Sequence, residues 1–255
     1  MFRFNRYNNN SSEVVRNIVN LNIGFFILTF LGPYFSGLDF YKLFGLHHYS
    51  SAYFKPWQLL THMFMHGSLL HIFFNMFAVW MIGSYLERLW GGRRFLIFYF
   101  FSGAGAILLH TLVQNYQIEQ IIKYLNTEQL EMIRSSVTYS FNDIVAQNPN
   151  SAGAVIKYNR LINTPTVGAS GAVFGILGAF ALLFPNTELM LMFLPIPIKA
   201  KWFAIGYGLI ELFLGYRGVT SGASDGIAHF AHIGGLIFGV LLVLYWNKTK
   251  KNEFF

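Results

Sequence analysis

Six apolar segments approach the length needed to cross a bilayer, and they constrain the fold more than any other feature. A membrane-crossing helix needs about 20 mostly apolar residues, or fewer when its ends or neighbours help. The 255 residues are 54% hydrophobic and only 11% charged, which is typical of polytopic membrane proteins. We therefore predict an all-α polytopic membrane protein with helices over Ile18–Phe35, Ser68–Trp90, Phe95–Leu112, Val167–Phe184, Trp202–Tyr216 and Ile227–Trp246.

Basic residues at the ends of these segments predict the orientation. If six helices alternate, all four basic clusters face one side, which the positive-inside rule assigns to the cytoplasm. We expect both termini in the cytoplasm and a multi-pass protein of the cell (inner) membrane. The net charge of +7 arises largely from these clusters, so no nucleic-acid partner is expected. The clusters contain Arg3, Arg6 and Arg16; Arg88, Arg93 and Arg94; Lys199 and Lys201; and Lys248, Lys250 and Lys251.

No repeat or low-complexity linker divides the chain, so we predict a single membrane domain over residues 1–255. It has a short cytoplasmic N-terminus (1–17) and a cytoplasmic tail (247–255). The first outer loop, 36–60, is aromatic and glycine-containing, and is expected to lie partly in the membrane interface. An outer insert at about 115–165 contains a helical-looking stretch, Ile118–Ser135. Its acidic and basic residues nearly cancel, which fits an insert on the outer face, and it could equally be a solvated cap with no chemistry. We expect it to be dispensable for peptide-bond chemistry.

A serine and a histidine lie near the mouths of two of these helices. Ser170 lies in the run Gly168-Ala169-Ser170-Gly171, about 6 Å below the outer boundary of the fourth segment. His232 lies about 9 Å below the same boundary in the sixth segment. Polar groups inside a bilayer are costly and suggest function. If the helices touch, Ser170 and His232 form a nucleophile and its base.

Glycine stripes indicate that these two helices touch. Gly235 and Gly239 share a face with His232, and Gly171, Gly175 and Gly178 form a stripe beside Ser170. Small residues let helix backbones approach closely in lipid, although the same stripes also occur in ordinary packing. His229 is one turn from His232, but it lacks this glycine context and lies nearer the aqueous mouth. We therefore predict His232 as the base and His229 as a solvated residue.

The second segment offers hydrogen-bond donors. His71 and Asn75 are one turn apart, so their side chains point to the same region. Acyl transfer builds negative charge on the substrate oxygen, which preorganised donors must stabilise in a site poor in water. His71, Asn75 and the backbone N–H of Ser170 are candidates for this oxyanion hole. Alternatively, His71 and Asn75 only hold helices together.

Three ordered motifs resemble the rhomboid family of intramembrane serine proteases. They are Gly168-Ala169-Ser170-Gly171, His71 with Asn75, and the run from His232 to Gly239, across about residues 66–246. The resemblance implies a six-helix rhomboid-like bundle, a Ser170–His232 dyad acting through an acyl-enzyme, and the same oxyanion hole. It also implies that Phe174 packs on His232, where the family often has tyrosine. Expected substrates are membrane proteins cut at small residues in or near a transmembrane helix that unwinds easily. No cofactor is implied.

The chain departs from the family in one motif and carries two carboxylates of interest. The family's first outer loop often has Trp-Arg where this chain has Trp57-Gln58, which affects loop anchoring rather than chemistry. Asp225 is expected to be a loop or cap residue above the level of His232. Glu211 falls near the middle of the fifth segment, where an unpaired charge is costly, and the sequence identifies no partner for it.

Two alternatives from other classes remain. His62 and His66 have i, i+4 spacing, which could suggest a metal enzyme or transporter, but the His-Glu-x-x-His motif is absent and the sequence points to no acidic third ligand. No metal site is therefore expected. The second alternative is a catalytically inactive rhomboid-like factor that binds membrane proteins. Such a protein would lose the serine or the histidine, and both are present here. The chain contains no cysteine, so thiolate chemistry and disulfides are excluded.

Overall fold

The computed structural model describes residues 12–135, 151–191, 194–221 and 225–251. Arg3 and Arg6, the middle of the predicted insert and the last residues of the tail lie outside these ranges. The helices are α1 (Glu13–Ser36), α2 (Phe40–Phe44), α3 (Gln58–Thr61), α4 (Leu69–Trp90), α5 (Gly92–Ile122), α6 (Thr127–Ser135), α7 (Ala152–Asn163), α8 (Ser170–Leu183), α9 (Ala200–Ser221) and α10 (His229–Lys251). Strands β1 (Glu188–Leu191) and β2 (Leu194–Lys199) join α8 to α9.

Four helices of the described chain are long and apolar enough to cross a membrane: α1, α4, α5 and the part of α10 that ends at Thr249. They coincide with the first, second, third and sixth predicted segments. Helix α8 is apolar but only 14 residues long. Helix α9 occupies the fifth predicted segment. The protein is thus a helical membrane protein, and the count of six membrane crossings stays a prediction.

Two details of the predicted helices are wrong. Helix α5 ends at Ile122 rather than Leu112, so it extends into the region assigned to the insert. The stretch Ile118–Ser135 is not one helix, because Asn126 starts a new one. The N–H of Gln129 donates to Oδ1 of Asn126 at 2.8 Å, and the N–H of Asn126 donates to the Gln129 side chain at 3.1 Å. This reciprocal capping begins α6.

The all-α prediction also missed a β-hairpin. Strands β1 and β2 pair antiparallel, with Glu188 opposite Lys199 and Met190 opposite Pro197. Proline cannot donate to a ladder but is accepted in an edge strand, and both strands of a hairpin are edges. The prolines that end the apolar run before α9 therefore do not prevent this short sheet.

Helix α8 lies at the centre of the fold. Its residues from Phe174 to Ala181 are all buried, as expected for a helix that is apolar on every side. It contacts α4, α5, α9 and α10, with its closest packing against α10 and α5. Helix α9 is more peripheral and leaves apolar side chains such as Trp202, Leu209 and Phe213 exposed. The residues at the start of α8 are therefore surrounded by four other helices.

A buried carboxylate fixes the start of α1. Glu87 of α4 accepts hydrogen bonds from the backbone N–H groups of Val14, at 3.0 Å, and Val15, at 2.8 Å. The first N–H groups of a helix have no partner within the helix, and the positive end of its dipole favours an anion. Glu87 thus caps α1 and joins it to α4.

The outer insert has its own small core. Ile121, Ile133, Val155, Tyr158 and Ile162, from α5, α6 and α7, are buried together. The insert also contacts the first outer loop. The N–H of Ala52 donates to the carbonyl of Arg134 at 3.0 Å, and Oγ of Ser51 donates to Oδ1 of Asn163 at 2.6 Å. The described part of the insert is therefore a folded layer that braces this loop.

Candidate active site

Ser170 is the first residue of α8, and Gly168 shapes the backbone that leads to it. Gly168 has a φ of 127°, which side-chain-bearing residues rarely adopt. Its N–H donates to the carbonyl of His62 at 2.9 Å. A Cβ at Gly168 would lie 2.8 Å from Nε2 of His71 and 3.5 Å from Oγ of Ser170. His71 and Ser170 therefore both lie close to the position that a Cβ of residue 168 would occupy, which leaves no room for a side chain.

The predicted contact between the two helices is present. Oγ of Ser170 lies 2.8 Å from Nε2 of His232, which is hydrogen-bond distance. His232 is only 9% exposed, and the two residues are 62 positions apart in the chain. A serine hydroxyl and an imidazole nitrogen in this arrangement can exchange a proton.

Glycines allow the close crossing of α8 and α10. A Cβ on Gly235 would overlap the carbonyl of Gly171, and a Cβ on Gly239 would lie 2.7 Å from Cα of Gly175. Real Cβ atoms do not approach so closely, so the helices can cross this way only with glycine at these positions. The short serine side chain reaches the imidazole because the backbones are this near.

Phe174 stacks on His232. The ring centroids are 4.4 Å apart and the ring planes differ by 6°. Phe174 is one turn after Ser170 on α8, so the same helix supplies the hydroxyl and the surface that holds the imidazole. The expected packing of Phe174 on His232 is observed.

Glu211 has the partners that the sequence did not reveal. Its Oε2 lies 2.6 Å from Nδ1 of His229 and 2.9 Å from Nδ1 of His232. The first contact is a hydrogen bond. The second is at contact distance but poorly aligned, because Nδ1 of His232 has no hydrogen bond of good geometry among the described residues. The position of Glu211 in an apolar segment was the sequence signal for a buried partner, because an unpaired charge there is costly.

His229 is not the solvated residue that the sequence suggested. It is 6% exposed, and its Nε2 lies 3.0 Å from Oδ2 of Asp225. Asp225 also accepts the N–H of Ile227 at 3.0 Å, a bond within the loop that precedes α10, as expected for a loop residue. Burial raises the pKa of Asp225, but the Ile227 N–H and His229 outweigh it, so this pKa lies below its usual value. His229 therefore bridges two carboxylates.

Glu211, His229 and His232 could also offer ligands to a metal ion, since their ligand atoms lie within 4.8 Å of one another. Zinc bonds of about 2.0–2.1 Å in tetrahedral geometry would separate neighbouring ligand atoms by roughly 3.3 Å. The observed contacts of 2.6 and 2.9 Å are shorter and match hydrogen bonds better. His62, from the other histidine pair considered, has its Nδ1 2.9 Å from the carbonyl of Gln58 and is buried in the core.

Helix α4 presents His71 and Asn75 one turn apart. Its start is capped by Ser68, whose Oγ accepts the N–H of His71 at 3.1 Å. The His66 ring packs edge-on against His71 with centroids 4.9 Å apart. Asn75 is buried, and its Nδ2 has no hydrogen-bond partner in the described part of the chain. A buried donor without an acceptor is unusual and is available to a group that enters the site.

Gln58 anchors the first outer loop in spite of the departure from Trp-Arg. It is fully buried, and its Nε2 donates to the carbonyls of Lys42 and Tyr53, each at 2.9 Å. Its Oε1 accepts the N–H of Lys55 at 3.1 Å and of His47 at 3.3 Å. One amide side chain therefore joins the two ends of this loop, so the departure does not remove the anchor.

Several known proteins are similar in sequence to the chain. The chain is 26% identical over 199 residues to "Rhomboid protein 1, mitochondrial" of Saccharomyces cerevisiae, and 27% identical over 198 residues to "Rhomboid protease GluP" of Bacillus subtilis. It is 25% identical over 233 residues to "Rhomboid protease AarA" of Providencia stuartii. The alignments cover 74%, 78% and 88% of this chain, but 42%, 27% and 68% of those proteins. The chain thus spans less than half the length of the first two relatives.

The sequence model of the Rhomboid domain matches residues 53–248. That range includes every helix from α3 to α9 and most of α10, with Ser170, His232, His71 and Asn75. The chain is therefore an integral membrane protein that belongs to the rhomboid family.

Proposed function

We propose that the chain is an active intramembrane serine endopeptidase that cleaves transmembrane segments of membrane proteins. The observation that carries this proposal is the 2.8 Å contact between Oγ of Ser170 and Nε2 of His232. The names of the relatives from Bacillus subtilis and Providencia stuartii include the word protease, which supports the class of reaction. The substrates would be membrane proteins whose helices unwind easily near small residues, reached from the bilayer.

The proposed reaction has two halves. Oγ of Ser170 attacks the scissile carbonyl carbon, and its proton passes to Nε2 of His232. His232 then gives this proton to the leaving amine, and an acyl-enzyme remains on Ser170. A water molecule, deprotonated by His232, attacks the ester, and the acid product leaves as Ser170 recovers its proton. The reaction needs only side chains and water, so no cofactor is proposed.

His71, Asn75 and the N–H of Ser170 are proposed to form the oxyanion hole. Nε2 of His71 lies beside Gly168, near Ser170, and the amide of Asn75 is one helical turn away. The N–H of Ser170 belongs to the first turn of α8, where backbone N–H groups have no acceptor within the helix. Such donors stabilise the negative charge that develops on the substrate oxygen. Gly171, Gly235, Gly239 and Phe174 support this arrangement by holding α8 and α10 together, and Gly168 supports it by shaping the backbone that leads to Ser170.

For the whole chain, we propose one membrane domain with six crossings and both termini in the cytoplasm of the cell (inner) membrane. The support is the distribution of lysine and arginine, because Arg88, Arg93 and Lys201 are all close to ends of helices that would face one side. The yeast relative's name places that protein in mitochondria, so fractionation of cells that express the chain is the check.

The decisive experiment compares Ser170→Ala with wild type, using a fluorophosphonate probe and a model transmembrane substrate. Wild type should be labelled and should cleave; Ser170→Ala should do neither, with little change in thermal stability. Ser102→Ala is a matched control, because Ser102 is a fully buried serine on α5 beside α8. It should keep both activities. Cleavage by Ser170→Ala would refute the assignment, and an inert wild type would favour the inactive membrane-protein binder.

A further inference from the structure

The contact between Ser170 and Nε2 of His232 requires a particular protonation state of the other imidazole nitrogen, Nδ1. To accept the serine proton, Nε2 must be unprotonated, so a neutral ring must carry its hydrogen on Nδ1. The carboxylate next to Nδ1 is Glu211, whose Oε2 is 2.9 Å away. The alignment is poor here, but hydrogen bonds in catalytic sites often tighten only when substrate binds.

We propose that Glu211 is a positioning residue that completes a Ser170–His232–Glu211 triad, which rests on the function proposed above. Glu211 accepts the Nδ1–H of His232, holds the tautomer that leaves Nε2 free, and stabilises the imidazolium when the serine proton arrives. Glu211 takes no proton itself. Phe174 packs against one face of the His232 ring, and the contact of Glu211 with Nδ1 restrains rotation of the ring in its own plane.

His229 and Asp225 explain how a charged Glu211 can be buried. Both ring nitrogens of His229 face carboxylate oxygens, at 2.6 Å to Glu211 and 3.0 Å to Asp225. In the proposed arrangement both carboxyl groups are ionised and only accept, so His229 donates from both nitrogens as the imidazolium. Asp225 is half exposed at the mouth of α10. Asp225, His229 and Glu211 thus form a row in which each side chain has a polar partner, and this row lies next to Nδ1 of His232.

The charges of this row suit the reaction. With Asp225 and Glu211 negative and His229 positive, the row carries one net negative charge while His232 is neutral. When His232 takes the proton of Ser170, the row and the imidazolium together become neutral. A buried negative charge that is compensated only after proton transfer favours the transition state over the ground state.

Glu211→Gln tests the role of the charge, because glutamine keeps the shape but can present its amide N–H₂ to Nδ1. The labelling rate with the fluorophosphonate and the kcat for a transmembrane substrate should fall by about 10- to 10⁴-fold, the upper limit being the loss seen when a triad carboxylate becomes an amide. The KM should stay within about threefold of wild type. Glu211→Asp keeps the charge and should react faster than Glu211→Gln. Equal rates for these two variants would show that charge is not what matters.

Histidine tautomers give a readout that a merely structural role would not change. In protein labelled with ¹⁵N-histidine, the His232 signal, assigned by its loss in His232→Ala, should show hydrogen on Nδ1 in wild type. It should move toward hydrogen on Nε2 in Glu211→Gln. An unchanged tautomer in a folded Glu211→Gln variant would overturn the proposal.

Glu87→Gln is the matched control, since Glu87 is another buried glutamate of the membrane domain, with its contacts at the start of α1. It should retain the wild-type labelling rate per folded molecule. An equal loss in Glu87→Gln would attribute the effect to general destabilisation and overturn the inference. A wild type that neither labels nor cleaves would instead refute the proposed function, whereas an active wild type with an equally active Glu211→Gln refutes only the role of Glu211.

Discussion

His229 and His232 are one turn apart on α10 but have different neighbours, and this difference predicts different phenotypes. His232 contacts Ser170 through Nε2, whereas both nitrogens of His229 face carboxylates. His232→Ala should abolish turnover and probe labelling. His229→Ala should lower both but keep a substantial fraction of each, because Glu211 loses its partner at 2.6 Å while Ser170 keeps its contact with Nε2 of His232. Labelling of the two purified variants checks this, and the reverse pattern would make His229 the base.

Asn75 should act on the rate of reaction rather than on substrate binding. Its Nδ2 is buried and has no acceptor within the described residues, so an oxyanion can gain a full hydrogen bond there. Asn75→Ala should lower kcat by roughly 10- to 1,000-fold, up to the loss typical of one oxyanion-hole donor. Steady-state kinetics on a model substrate will separate the two parameters. A change limited to KM would make Asn75 a docking residue.

The sequence supported the contact of Ser170 with His232, because glycine spacing indicates where helices can meet. It could not place Glu211 behind His232. Glu211 is 21 positions before His232. Gly208 and Gly215 lie on its face of α9, but this spacing alone does not say which neighbouring helix that face meets. For the same reason, His229 looked like a solvated residue. Spacing along one helix says nothing about what a neighbouring helix presents to it.

At the scale of elements, the first outer loop and the insert should respond together to pH. Nδ1 of His48 accepts the N–H of Ser50 at 3.2 Å, and Nε2 lies 2.9 Å from Oδ1 of Asn115. Only the neutral ring can make both bonds. Burial lowers the pKa of His48 from 6.5, and Arg134 adds to this effect while Asn115 opposes it. The loop is therefore stabilised above about pH 6.5 and loses this contribution as the pH falls below it.

Hydrogen exchange of residues 46–54 at pH 7.5 and pH 5 measures this loosening. We expect faster exchange at pH 5 in wild type. His48→Gln cannot titrate, so its exchange in this loop should change less between the two pH values after correction for the intrinsic rate. An identical pH response in His48→Gln would exclude His48 as the origin.

Elements that depend on tertiary contacts were the ones the sequence did not predict. Hydropathy indicated α1, α4, α5 and α10, because a helix long enough to cross a membrane must itself be apolar. The hairpin of β1 and β2 has no turn signature in the sequence, and proline within an apolar run is not typical of a central strand. The break before α6 is visible in hindsight as Asn126 with Gln129 three residues later, a local capping signal that the apolar periodicity obscured.

At the scale of the whole molecule, the crossing of α8 and α10 sets the distance between the nucleophile and its base. Helix α8 is buried on all sides, so it cannot move away when α10 gains volume. The two glycine contacts, Gly171 with Gly235 and Gly175 with Gly239, are below and beside the Ser170–His232 pair. Stability and activity should therefore depend on the same few atoms.

Gly235→Ala should consequently lower both stability and activity. The new methyl group would overlap the carbonyl of Gly171, so the helices must separate. Overpacking of this kind costs about 1–3 kcal/mol, and a wider crossing moves His232 away from Ser170. Gly206→Ala is the matched control, because a Cβ on Gly206 of α9 would meet nothing within 4 Å. It should be neutral or stabilising by about 0.5–1 kcal/mol, since alanine loses less backbone entropy on folding than glycine. Thermal unfolding and probe labelling of both variants in detergent test this, and a Gly235→Ala variant as stable and reactive as Gly206→Ala would show that the crossing is not the constraint.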